Sequence, residues 1–179
     1  LRLLNEWGGR PLPLNASCWF GYAGAGVLRL RLRGAVAAVE AACTHLGGER
    51  KDDARAAVDW QSLRDQQLPW FATTAEGPDA LWRLSVPQTA PVLAIDGNAP
   101  LIEWHGAQRW YKASPDQAAR IREIACAAGG HATLFRAPAS SAIPRFDALS
   151  APIARIHRAL MQEFDPHRIF NRGRLFSDA

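Results

Sequence analysis

The stretch VLRLRLRGAVAAVEAACTHLGG, residues 27–48, changes its period halfway. From Val27 to Arg33, leucine and arginine alternate strictly. An extended chain therefore carries Leu28, Leu30 and Leu32 on one side and Arg29, Arg31 and Arg33 on the other. After Gly34 the apolar residues suit a helix, which Gly47 and Gly48 end. The same order returns downstream. QRWYKA (108–113) reads as a strand, and SPDQAARIREIACAA (114–128) as a helix with Ser114 as N-cap, Pro115 in its first turn and Gln117 closing a capping box. Gly129 and Gly130 stop that helix, and HATLFR (131–136) reads as the next strand.

Between these two strand–helix units lie a short predicted helix around 59–67 and the strand LWRLSV (81–86). LIEWHGAQRWYKA (101–113) reads as a hairpin turning near His105 and Gly106. The expected fold is α+β: a ferredoxin-like sandwich, an antiparallel sheet with helices on one face, followed by a C-terminal helix and an extended tail. Residues 136–150 read as a loop. The final helix, 152–164, sets Ile153, Ile156, Leu160 and Phe164 along one stripe.

Composition narrows the function. Hydrophobic residues make up 48% and charged residues 21% of the 179, a globular balance. A net charge of +4, spread along the chain, does not mark a nucleic-acid partner. Cys18, Cys43 and Cys126 have no metal or redox spacing, and an odd number cannot fully pair, which points to a reducing, cytoplasmic compartment. No apolar run reaches the length of a membrane span. The opening LRLLNEWGG (1–9) reads as the end of a helix, and the chain is expected to be a piece of a longer protein.

Several chemical signatures are absent: the nucleophile elbow, the zincin helix, the phosphate loop of nucleotide hydrolases and paired CxxC. GYAGAG (21–26) is glycine-rich, but it precedes a strand instead of opening a helix, so a hairpin connection is expected and not a dinucleotide site. The arginine side of residues 27–33 suits a carboxylate, a phosphate or an acidic partner, and equally a solvated outer face. Arg83 lies opposite the apolar Trp82, Leu84 and Val86 on its strand, and His131 stands at a strand start where an imidazole can reach a site. Both also suit structural roles. In the tail, Asp165-Pro166 breaks the last helix, Gly173 permits positive φ, Asn171 and Arg174 offer donors to an anionic or polar partner, and Ile169, Phe170 and Leu175 are expected to anchor the segment on the core by apolar burial.

FDPHRIFNRGRLF (164–176) resembles the closing FDP-x-x-I-x-NPGR segment of FAD-linked oxidases of the vanillyl-alcohol-oxidase type. Together with CWFGYAGAGVLRLRLRGA, LWRLSVPQTAP, LIEWHGAQRW and GGHATLFR, it is similar to the C-terminal half of the GlcE family of bacterial glycolate oxidase subunits. The resemblance implies a flavoprotein subunit of a complex that oxidises glycolate to glyoxylate. Its partners would be the other glycolate oxidase subunits, the catalytic flavoprotein subunit and an iron-sulfur subunit among them. In such proteins a separate N-terminal domain carries the FAD, and an α+β cap domain, here 1–150, covers flavin and substrate. Residues 151–179 would return toward the FAD domain. Arg83 and His131 then become candidates for substrate binding, and Asn171, Gly173 and Arg174 for cofactor contact; no metal site is implied. Arg172 stands where the family usually has proline, and no phosphate-cradling loop is present, so this piece is not expected to hold FAD alone. The alternatives from other classes are a non-catalytic module docking partner subunits and a free-standing ferredoxin-like ligand-binding domain.

Overall fold

A computed structural model describes residues 1–22, 25–72, 80–96, 99–139, 141–170 and 173. Its elements are α1 (Arg2–Gly8), β1 (Leu14–Tyr22), β2 (Ala25–Leu32), α2 (Val36–Leu46), α3 (Asp53–Arg64), β3 (Ala80–Ser85), β4 (Leu101–Glu103), β5 (Gln108–Ala113), α4 (Ala118–Ala127), β6 (His131–Arg136) and α5 (Ala151–Phe164). The strands form one antiparallel sheet in the order β2-β1-β4-β5-β3-β6, so the α+β class is as the sequence implied. Both β5 and β6 run antiparallel to β3, which lies between them. They are therefore parallel to each other, and α4 makes the crossover of a split β-α-β unit.

The helices divide between the two faces. Leu81 and Trp82 are consecutive on β3 and so point to opposite sides. Trp82 and Leu84, with Tyr111, Ala132 and Leu134, bury against Ile121 and Ala125 of α4. Leu81, with Cys18, Phe20, Leu101 and Trp110, buries against Leu63 of α3 and the following Leu68 and Phe71. A second cluster on the reverse side is what lets a single sheet of this size keep both of its faces partly dry.

The helix expected at 59–67 starts earlier, at Asp53, because the Asp52 carboxylate accepts the Arg55 N–H at 2.9 Å and caps it. That shift settles the arginine strand. Asp59 of α3 pairs with Arg29 at 3.2 Å, and the Arg29 guanidinium also lies 5.1 Å from the Phe20 ring centroid. The Arg31 guanidinium sits 5.1 Å from the Trp60 centroid. Two of the three arginines thus hold α3 to the sheet, while Leu28, Leu30 and Leu32 on the other side are half-buried. β1 went unread from the sequence because its faces do not separate by polarity: Cys18 and Phe20 share one side, and buried Ser17 lies on the other with Trp19.

The free edge of β6 is covered by its own downstream loop. Arg145 O accepts the Leu134 N–H at 2.8 Å, and the Asp147 carboxylate accepts the Ala132 N–H at 2.9 Å. Asp147 is itself held by Arg122 of α4 at 2.6 Å. An edge closed in this way is protected from pairing with another chain. At the other end of the chain, α5 forms as expected, but none of its residues is buried, and the stripe of Ile153, Ile156, Leu160 and Phe164 is exposed. Among the described residues, no helix is long and apolar enough to cross a membrane.

Candidate anion-binding face

The cross-strand pairs define what shares a surface with Arg83. Arg83 lies opposite Trp110 on one side and Thr133 on the other, and Ser85 lies opposite His131. Residues facing each other across a ladder point the same way, so Arg83, Ser85, His131 and Thr133 occupy one face. Arg83 is half-buried; Ser85 and His131 are exposed. The structure thus brings together the two substrate-binding candidates named from the sequence. The arginines of β2 share this face but lie four strands away, about 19 Å at the usual interstrand spacing, so they do not join Arg83.

A β-bulge adds what the sequence concealed. Leu81 pairs with Arg136 and Trp82 with Leu134, which leaves Phe135 as the extra residue on β6. Strict alternation in HATLFR would send Arg136 to the α4 side. With the bulge, Phe135 and Arg136 both reach the Arg83 face. The guanidinium carbons of Arg83 and Arg136 lie 5.7 Å and 5.9 Å from the Phe135 ring centroid. Phe135 stands edge-to-face on Trp110, with centroids 5.0 Å apart, and Trp110 meets Phe71 in the same way at 5.6 Å. The ring is therefore fixed by a ladder of buried aromatics, and its cations are placed by it.

Acids nearby are already committed. Glu103 accepts the Trp110 indole N–H at 2.6 Å and a Gln108 amide N–H at 2.9 Å. Asp65 is paired with Arg64 at 2.8 Å. Arg136 hydrogen-bonds Gln66 Oε1, a neutral acceptor. Among the described residues, no carboxylate forms a salt bridge with Arg83 or Arg136.

Beneath the other end of this face lies Cys18, a buried thiol beside Phe20, Leu63 and Leu68. Burial pushes its pKa up to about 12; Glu103 adds to the rise and Arg29 opposes it. A thiol that stays neutral when folded stabilises the protein below its unfolded pKa of about 8.5, and that contribution is lost as pH climbs toward the folded value. Two outcomes are expected. Folding stability declines above about pH 8.5, and at pH 8 a thiol reagent labels exposed Cys126 while sparing Cys18 until the chain is unfolded. Labelling of Cys18 at the rate of Cys126 contradicts the burial.

The remaining candidates lie in the tail. The Asp165 carboxylate accepts the Ile169 N–H at 2.8 Å and the Phe170 N–H at 2.9 Å, so Asp165-Pro166 turns the chain as well as ending α5. Gly173 has φ +64, the left-handed conformation its residue type permits. Asn171, Arg174 and Leu175 lie outside the described residues. The expectation that Ile169 and Phe170 anchor the tail on the core is not met: they are 63% and 67% exposed, because the Asp165 turn and an unburied α5 carry them away from both clusters.

The residues described do not fit an FAD pyrophosphate. Where it is described, GYAGAG lies on the β1–β2 ladder, with Gly21 opposite Gly26, and a Cβ on Gly26 would lie 2.8 Å from the Trp19 indole nitrogen. That glycine makes room for an indole and does not cradle a phosphate.

No family model and no solved structure matches the chain. The glycolate oxidase subunit GlcE of Escherichia coli (strain K12) is 42% identical over 173 residues, 97% of this chain and 44% of that protein. The chain therefore spans less than half the length of this curated relative. The resemblance read from its motifs thus extends over 97% of the chain, which is similar to the C-terminal part of the glycolate oxidase subunit GlcE.

Proposed function

We propose that the chain is the cap domain of an FAD-dependent glycolate oxidase subunit, a part of the complex that converts glycolate to glyoxylate. Residues 1–150 form the cap, and 151–179 return toward the part of the subunit that holds FAD. The carrying observation is the half-buried Arg83 guanidinium, without a carboxylate partner among the described residues and on one face with His131. A guanidinium fork binds a small carboxylate through two parallel hydrogen bonds, and a neighbouring imidazole can hold the substrate hydroxyl. Asn171, Gly173 and Arg174 are assigned to contact with the flavin or its domain, which the Asp165 turn and the positive φ of Gly173 support. The complex would include the catalytic flavoprotein subunit and an iron-sulfur subunit, in the cytoplasm at the inner membrane.

The 179-residue chain, purified alone, is expected to be colourless and inert toward glycolate, whereas the full-length subunit in its complex is yellow and active. Flavin absorbance at one equivalent in the isolated chain overturns the cap reading. A docking role on the same complex is favoured by a separate observation, the exposed stripe of α5. Co-purification of the partner subunits with a Leu160→Ser full-length subunit at undiminished yield counts against that role.

A further inference from the structure

We infer that Arg83 and Arg136 form a single anion site across the Phe135 ring, selective for small dicarboxylates over monocarboxylates. The proposal goes beyond the substrate-side reading: glycolate and glyoxylate each carry one carboxylate, so the dicarboxylate is a second ligand of this face, and the two readings share only Arg83.

The site is built in three steps. The bulge at Phe135 turns Arg136 onto the Arg83 face, where simple alternation would hide it. Trp110 fixes the ring edge-to-face, and both guanidinium groups lie within cation–π range of it, at 5.7 Å and 5.9 Å from its centroid. Gln66, two residues beyond α3, then holds Arg136 by a neutral acceptor, which orients the guanidinium without cancelling its charge.

Charge decides the ligand class. Two guanidinium groups converge on one ring, while Glu103, which touches the Trp110 that holds the ring, and Asp65, which precedes Gln66 in the chain, are engaged by other donors. One carboxylate neutralises one guanidinium. A second carboxylate on the same small molecule answers the other, and the exposed His131 and Ser85 leave this face open to it. A hydrogen bond to a charged group contributes about 1.5–3 kcal/mol, so the second contact is expected to strengthen binding by about tenfold or more.

Titration calorimetry on the full-length subunit at low ionic strength, with acetate and malonate as probes, tests this. Malonate is expected to bind about tenfold more tightly than acetate. Arg136→Gln should erase that preference and leave acetate binding within about twofold, Arg136→Lys should keep part of it, and Arg83→Gln should weaken both anions. Circular dichroism of each variant checks folding, and Arg136→Lys serves if Arg136→Gln does not fold. Failure of either anion to bind, or a malonate preference that survives Arg136→Gln, overturns the site. If Arg83→Gln abolishes malonate binding yet glycolate turnover is unchanged, the site stands and the substrate-side reading falls.

Discussion

Gly130→Ala is expected to destabilise the chain by about 4 kcal/mol or more, near the limit for a single substitution. A Cβ at Gly130 would lie 2.0 Å from Ser85 O and 2.8 Å from Val86 Cα. Both neighbours are backbone at the end of β3, so no side chain can swing aside to relieve the contact. Gly130 N–H also donates to Ala125 O at 2.8 Å, which ties the end of α4 to the start of β6. The substitution must therefore separate β6 from β3 at the Ser85–His131 pair. Gly129 is a useful comparison. It has φ +79 and its nearest neighbour would be a Pro87 side-chain atom at 3.5 Å, so alanine there carries only the left-handed penalty, about 1–2 kcal/mol. Urea denaturation of both variants separates the effects. A Gly130→Ala chain within about 1 kcal/mol of the parent contradicts the close approach.

Arg109→Met is expected to cost about 3 kcal/mol, although it removes a buried charge. The Arg109 guanidinium is fully buried and donates to Gly106 O at 2.9 Å, Ala90 O at 2.7 Å and Pro91 O at 2.5 Å. Desolvation lowers its pKa, and the neighbouring Tyr111 opposes that fall. Replacing a buried ion pair by apolar residues is often harmless because both partners go together. Here the partners are backbone carbonyls, which remain behind without donors. The β4–β5 turn and the loop after β3 should loosen together, since Arg109 is the common donor to both. Hydrogen exchange reads this directly at Val86, whose N–H donates to Ala107 O at 2.9 Å. Unchanged protection there, with unchanged stability, sinks the account of Arg109 as the clasp.

How much of this was legible follows from where local rules suffice. The unit built on QRWYKA, the Ser114 start and the Gly129-Gly130 stop could be read because strand period and glycine stop agree with a Ser114 cap, which accepts the Asp116 N–H at 3.3 Å. The capping box does not close, since Gln117 Oε1 makes no hydrogen bond and α4 starts at Ala118. The β4–β5 hairpin turns where His105 and Gly106 suggested; Trp104, His105 and Gly106 all have positive φ there. The arginine side of β2 could not be assigned from sequence, because α3 covers it through Asp59 and Trp60, and those partners are not encoded in the strand. Half of the site was open to the same reading. Arg83 and His131 follow from alternation and from their strands, whereas Phe135 and Arg136 converge only through a bulge. A bulge depends on how two strands pair, and no pattern in HATLFR announces it. The tail misled for a related reason: Ile169 and Phe170 look like anchors by composition, but the Asp165 carboxylate turns the backbone outward before they can reach the core.

The central claim is that the face bearing Arg83 borders the substrate. Arg83→Lys in the full-length subunit, assembled in its complex, tests it most directly. Lysine keeps the charge and removes the planar fork, so the fold and the flavin content should hold while bidentate recognition is lost. The predicted result is a fall of about tenfold or more in kcat/KM for glycolate, the loss of one charge-assisted hydrogen bond. An Arg83→Lys enzyme with unaltered kcat/KM contradicts the claim and leaves Arg83 as a prop for the Phe135 ring.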